Sequence, residues 1–242
     1  MLSGLFRVVE AALRPASYAP SAITFPRLSL ADLKKEAALF AKDAAHSALP
    51  DLYGITDGKA VGTYVEIKFH DALKPKYAYD LGSAASGIDF PDLNVDLKAT
   101  SIKQPQSSCP YRSARQKVYG LGYDLLVFVY EKKDDPKARA ARLDFLHTVF
   151  IHRDQTADYQ TTTGIRTLLA NNANRDDIVA FLEERNLPLE ELGREQLADE
   201  ILTKPPIIGY LTISNALQWR LQYRRVVELA SKGKTEGIES LS

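Results

Sequence analysis

The chain has 242 residues, 45% of them hydrophobic, and equal Lys+Arg and Asp+Glu counts of 31 each. That length is enough for a sizeable core in one soluble globular domain, and a formal net charge of zero excludes a globally basic polyanion binder, so any affinity for nucleic acid has to come from local clustering of charge. A single cysteine, Cys109, excludes an internal disulfide and a thiolate-rich zinc site, and fits a reducing, cytoplasmic location.

Met1 to Ala12 lacks the charged n-region and the long apolar stretch of an export signal, so the expected first element is an N-terminal helix. Pro15, Pro20 and Pro26 make residues 15–28 an irregular strap. A helix follows: Ser29 with Asp32 offers a capping box, and Leu30, Leu33, Ala37, Phe40, Ala41, Ala44 and Ala48 recur at helical spacing before Pro50. His46 near its end reads as a partner of the helix C-terminus. After a turn at Asp57 and Gly58, the stripe Val61, Val65, Phe69, Ala72 predicts a short helix ending before Pro75, with Glu66 at the border of the buried face and His70 read as a surface residue.

Residues 87–101, G-I-D-F-P-D-L-N-V-D-L-K-A-T-S, concentrate the chemistry. Val95, Leu97 and Ala99 alternate with Asp96, Lys98 and Thr100, as in a strand with one apolar and one polar face. Asp96 and Lys98 then project side by side. A second carboxylate from just upstream, Asp89 or Asp92, would complete an oxygen cage for a hard cation such as Mg²⁺. Asp92 lies only four residues before Asp96, whereas Asp89 leaves room for Pro91 to bend the chain, so Asp89 is the favoured acid and Asp92 a solvated turn residue. Such a cation lowers the pKa of an attacking water and relieves charge on a phosphate, while a neighbouring lysine orients or deprotonates the water or stabilises negative charge.

The segment D-F-P-D-L-N-V-D-L-K of residues 89–98 closely resembles the acid-F-P-E-L-x-V-E-L-K segment of MutH-like endonucleases, which join a mismatch-repair nicking enzyme to certain type II restriction endonucleases within the PD-(D/E)XK nucleases. Upstream, G-T-Y-V-E from Gly62 to Glu66 is similar to the family's G-x-x-x-E helix, and L-G-S-A-A-S from Leu81 resembles its L-G-A-T-A turn. The resemblance covers about residues 59–101. It implies that Asp89 and Asp96 bind metal together with Leu97 between Asp96 and Lys98, that Lys98 is the catalytic lysine, and that Glu66 is an auxiliary carboxylate. Asp96 stands where the family has Glu, the segment between the turn and Asp89 is shorter, and Lys59 is one residue nearer Glu66 than the family's upstream lysine.

Beyond the strand, residues 101–110 read as a polar loop beside the metal site, with Lys103 and Gln104 as donors to phosphates and base edges. Residues 113–120 read as a short helix ended by Gly120, whose Arg115, Gln116 and Lys117, with Arg112 just before, are candidate DNA contacts. From Leu97 to Tyr123, and again from Ile201 to Val227, there is no acid, whereas Asp176 to Glu200 holds nine. Residues 124–130, D-L-L-V-F-V-Y, predict a strand buried on both faces in mid-sheet. A charged loop over Lys132 to Arg142 and a returning strand over Leu143 to His152 follow, with His147 and His152 structural. Helices are expected over 158–171, 176–185 and 193–202, then a short strand over Ile207 to Ile213. A last helix over Ser214 to Ala230 would place Trp219, Tyr223 and Val226 on one arc and Gln218, Gln222 and Arg225 opposite. On this reading the Gln/Arg face meets bases and Arg220 and Arg224 meet phosphates.

The expected fold is α/β: a central mixed sheet of four or five strands flanked by helices, restriction-endonuclease-like, with the metal site at one sheet edge. The chain divides into an N-terminal helical part (1–56), a catalytic core (57–155) and a helical C-terminal part (156–242). The expected function is Mg²⁺-dependent, sequence-specific cleavage of double-stranded DNA by a type II restriction enzyme, acting as a homodimer, with a cognate DNA methyltransferase as genetic partner. The alternatives are a strand-nicking repair endonuclease and a non-catalytic DNA-binding protein on a nuclease fold.

Overall fold

The apolar run 124–130 divides its side chains between two cores. Leu126, Phe128 and Tyr130 enter one, and Leu125, Val127 and Val129 the other, all nearly inaccessible. A strand with both faces buried has to lie inside a layered α/β fold. The computed structural model describes residues 25–44, 47–82, 87–109, 112–214, 219–233 and 235–241. The expected helix over 1–12, His46 and Gln218 lie outside them.

In chain order the described elements are α1 (Leu30–Ala44), α2 (Gly58–Leu73), β1 (Val95–Ser101), β2 (Gln106–Cys109), α3 (Gln116–Tyr119), β3 (Asp124–Asp135), β4 (Ala140–Ile151), α4 (Tyr159–Ala170), α5 (Arg175–Glu184), α6 (Glu191–Thr203), β5 (Thr212–Ile213), β6 (Trp219–Gln222), α7 (Arg224–Ser231) and β7 (Ile238–Ser240). The central mixed sheet has the order β1-β3-β4-β7. β1 runs parallel to β3 and the other pairs are antiparallel, so β1 is an edge strand.

Helices α1 and α2 cover one face. Their Phe40 and Phe69 rings meet Phe128 with centroids 5.5 and 5.4 Å apart, edge to face. Burying one such ring is worth about 2–3 kcal/mol, which fixes α2, and therefore Glu66, against the sheet. At the start of α1, Asp32 N donates to Ser29 Oγ at 3.1 Å, as the capping pattern predicts. The other face carries a second sheet, β2-β6-β5, together with α7. Helices α4 to α6 form a third core with Ala114 and Val118.

Four local expectations are corrected. The charged stretch 132–142 is not a loop: both strands run out to Asp135 and Ala140, because Lys133 pairs with Glu131 and Asp144 along the ribbon. The loop 101–110 contains β2. Of the strand expected over 207–213, only Thr212–Ile213 joins a sheet, with Leu211 in an isolated bridge to Asp158. Within the helix expected over 214–230, the described residues from 219 onward form two elements, β6 and then α7. Trp219 and Leu221 are buried and alternate with exposed Arg220 and Gln222, a period of two that the helical arc also accommodates. Pairing with β2 decides between them.

Candidate metal centre

Asp89 reaches β1 through a tight reversal. Pro91–Leu93 form a 3₁₀ turn, Asn94 takes a left-handed conformation (φ 54°), and Phe90 and Val95 exchange backbone hydrogen bonds of 3.0 and 3.2 Å. Asn is among the few side chains that tolerate this φ. The chain before Pro91 is thereby laid back along β1. As an edge strand β1 has unpaired N–H groups, and Leu97 N donates to Asp89 Oδ2 at 2.7 Å. Gly82 is needed in the adjoining turn: its N–H donates to Asp89 O at 3.0 Å, and a Cβ there would lie 1.9 Å from Ile88 O. Asp92 sits at the outer end of the reversal, where it accepts from Arg27 Nη2 at 2.8 Å and from Asp80 N at 3.3 Å. It is an exposed turn residue, as expected, with these bonds at the surface.

The Asp89 carboxyl group is in hydrogen-bonding contact with both Asp96 and Glu66. Glu66 arrives from α2, whose Gly62, one turn earlier, faces β1: a Cβ there would stand 3.5 Å from Ala99 O. Lys98 Nζ is 2.7 Å from Asp96 Oδ2. His70, one turn beyond Glu66, is buried and not on the surface. Its Nδ1 is 3.0 Å from the Tyr79 hydroxyl, and one ligand atom each of Glu66, His70 and Asp89 lie within 4.8 Å of one another. The spacing of four from Glu66 was the available signal for His70, whereas nothing local announced Tyr79. Lys59 is exposed in the first turn of α2.

The electrostatics follow from this crowding. Burial, then the neighbouring Asp89, pushes the Asp96 carboxyl up to about 7 against the attraction of Lys98. Burial and Asp89 also raise Glu66. Burial lowers the His70 imidazole, with Asp89 opposing. Burial alone would lower Lys98, but Asp96 and Asp89 hold it above its ordinary value, so it stays an ammonium. Three carboxyl groups converge on one lysine, which leaves negative charge uncompensated in a partly dry site. Hard oxygen donors with an imidazole at the margin are a donor set that fits a divalent cation.

The remaining candidates separate by exposure. Lys103, Gln104, Arg112, Arg220, Gln222 and Arg224 are exposed. The Arg112 guanidinium lies 3.4 Å from where a Gly87 Cβ would stand, two residues from Asp89. Arg115 instead forms a fork with Glu200 and covers the Tyr119 ring, and the Gln116 amide is bonded to Leu121 O and Arg112 N. Lys117, only 4% exposed, is corrected as a phosphate contact because its side chain is enclosed by the protein. Arg225 is partly buried and stacks on Tyr159, 3.5 Å from the ring centroid. His147 and His152 stand on or just after β4, the latter 3.3 Å from Asp154.

Residues 27–240 match the family described as "Type II restriction enzyme NspV". The chain is also 56% identical over 211 residues to the Type II restriction enzyme NspV of a Nostoc species, covering 87% of this chain and 95% of that protein. The chain belongs to this family of type II restriction enzymes. It is a site-specific deoxyribonuclease, and the restriction enzyme's α/β core carries the Asp89, Asp96, Lys98 constellation at its sheet edge. Enzymes of this class use divalent metal generally. No solved structure matches the chain. No helix of the described residues is long and apolar enough to cross a membrane.

Proposed function

We propose that this restriction enzyme cleaves both strands of duplex DNA with Mg²⁺ at the Asp89–Asp96 site. Asp89 and Asp96 would hold the ion with the Leu97 carbonyl, and Glu66 closes the set from α2. The carrying observation is the contact of Asp89 with both Glu66 and Asp96 beside a charged Lys98. Bound there, the cation lowers the pKa of the attacking water and offsets charge that builds on the phosphate.

The protein's own groups supply positioning and charge. Leu97 N fixes one Asp89 oxygen, which leaves the other for a ligand. In the metal-free site Lys98 is held above its ordinary value by Asp96 and Asp89 and is charged. It donates hydrogen bonds that orient the water and stabilise the pentacoordinate phosphate as negative charge develops. Arg112, against Gly87, is placed for a phosphate oxygen near the same site, with Lys103 and Arg224 as further backbone contacts.

Cutting both strands with one site per chain is simplest for a two-fold dimer on a palindromic sequence, and such an enzyme implies a cognate methyltransferase as genetic partner. The test incubates the purified protein with unmethylated plasmid and Mg²⁺, then sequences the ends and sizes the protein–DNA complex. Linear product with uniform ends from a dimer is expected. Nicked circles from a monomer would favour the repair-type reading, and no cleavage with any divalent ion would refute the assignment.

A further inference from the structure

Base reading by an exposed helix, the arrangement the sequence suggests, does not survive the folding of residues 219–222 into β6. The structure offers another element. In the small sheet, Gln106 of β2 stands opposite Gln222 of β6, which stands opposite Thr212 of β5, and one rung further Ser108 stands opposite Arg220. Ser108, Arg220 and Gln222 are exposed, and Gln106 and Thr212 are half-buried. The alternate residues Cys109, Trp219, Leu221 and Ile213 are buried in the core beneath. One face is thus a rigid apolar base, and the other a row of amide, hydroxyl and guanidinium groups without a carboxylate.

Three observations fit this face to one occupant, the major groove of the DNA substrate. First, a two-stranded ribbon is one of the shapes that groove admits, and Gln to adenine and Arg to guanine are its favoured bidentate pairs. Second, residues two apart on a strand are about 7 Å apart, close to two base-pair steps, so the two rungs can address pairs separated by one intervening pair. Third, Gln106, Thr212 and Gln222 of the row themselves line a cavity of about 540 Å³, whose wall continues through Lys103 and Arg224 with Glu228 also present, so a phosphate backbone can lie directly beside the row.

The face is tied to the catalytic strand. Thr100, two residues after Lys98, accepts from Gln106 N and donates to Gln106 O, both at 2.9 Å. Tyr223, directly after β6, donates its N–H to Pro105 O at 2.8 Å, and its hydroxyl is 2.5 Å from Ser107 Oγ. We infer that the solvent face of the β2–β6 ribbon, through Gln106, Ser108, Arg220 and Gln222, is the base-reading element of this enzyme, held in fixed register to the metal centre by the Thr100–Gln106 link. The inference rests on the nuclease reading above.

The test measures cleavage of a duplex library randomised around the wild-type site by wild type, Gln106→Ala, Arg220→Ala, Gln222→Ala and, as a backbone control, Lys103→Ala, with thermal melts to verify folding. Each ribbon variant is expected to lose about ten- to a hundred-fold discrimination at one base pair while the other positions keep theirs. Lys103→Ala should weaken all sequences alike and lower the salt dependence of binding. Wild-type cleavage with an unchanged sequence preference in all three folded ribbon variants would overturn the inference and leave the nuclease reading intact. A wild-type protein that cuts nothing would overturn both.

Discussion

Lys98 Nζ lies 2.7 Å from Asp96 Oδ2, two residues earlier on the same edge strand. The pair is built into the pleat, since alternate side chains share a face, and it keeps Lys98 charged where phosphate has to arrive. Lys98→Ala is expected to reduce the single-turnover cleavage rate by about 10²–10³-fold or more, the usual worth of a preorganised donor at developing charge, while affinity for DNA in Ca²⁺ is kept. Near-normal cleavage would remove Lys98 from the chemistry.

The reversal at Pro91 separates two aspartates that the sequence alone leaves as rivals. Asp89→Asn should abolish cleavage and weaken divalent-ion binding measured by calorimetry. Asp92→Asn breaks only the partly exposed bonds to Arg27 and Asp80 N, so it should cost about 0.5–1 kcal/mol of stability and leave the rate within about threefold of wild type. The opposite ranking would identify Asp92 as the ligand.

Asp96 predicts a pH dependence of the metal-free protein. Its folded pKa, about 7, lies above the ordinary 3.8. The group therefore favours the folded state fully below about pH 4, and that contribution is lost as pH rises through about 7. The melting temperature of Asp96→Asn relative to wild type, taken in EDTA from pH 4 to 9, should rise with pH and level off above neutrality. A difference that does not change with pH would contradict the raised pKa.

His70 brings nitrogen to an otherwise oxygen-rich site, with Nδ1 engaged by Tyr79. Imidazole suits Ni²⁺ better than Mg²⁺. His70→Ala is expected to weaken Ni²⁺ binding about tenfold, read by calorimetry, with a smaller effect on Mg²⁺; Tyr79→Phe should show part of the same loss because the ring is no longer oriented. Equal affinities in wild type and variant would place His70 outside the ligand set.

Much of the site was readable from one dimension because it is made by short-range geometry. The alternation through Asp96 and Lys98, the bend allowed by Pro91, the stripe that puts Glu66 beside the buried face of α2, and the two-faced apolar run of β3 each depend on a period of two or 3.6 residues within one segment. His70 was mistaken for a surface residue since its cover, Tyr79 and Phe90, comes from outside its helix. The sequence alone offers Lys117 as a DNA contact because its burial depends on distant packing.

The largest misreading shows where local pattern stops deciding. Residues 219–222 satisfy both a helical arc and a strand alternation, and the choice was made by β2, more than a hundred residues earlier, when Gln106 paired with Gln222 and Cys109 with Trp219. The sequence by itself determined a strand with Asp96 and Lys98 on one face and a run, 124–130, with two buried faces, because side-chain direction along one segment follows from backbone geometry. Only the tertiary structure decided that the two acid-free basic segments form one polar sheet face beside the candidate metal centre: a hydrogen-bond partner distant in sequence adds free energy that no property of either segment encodes.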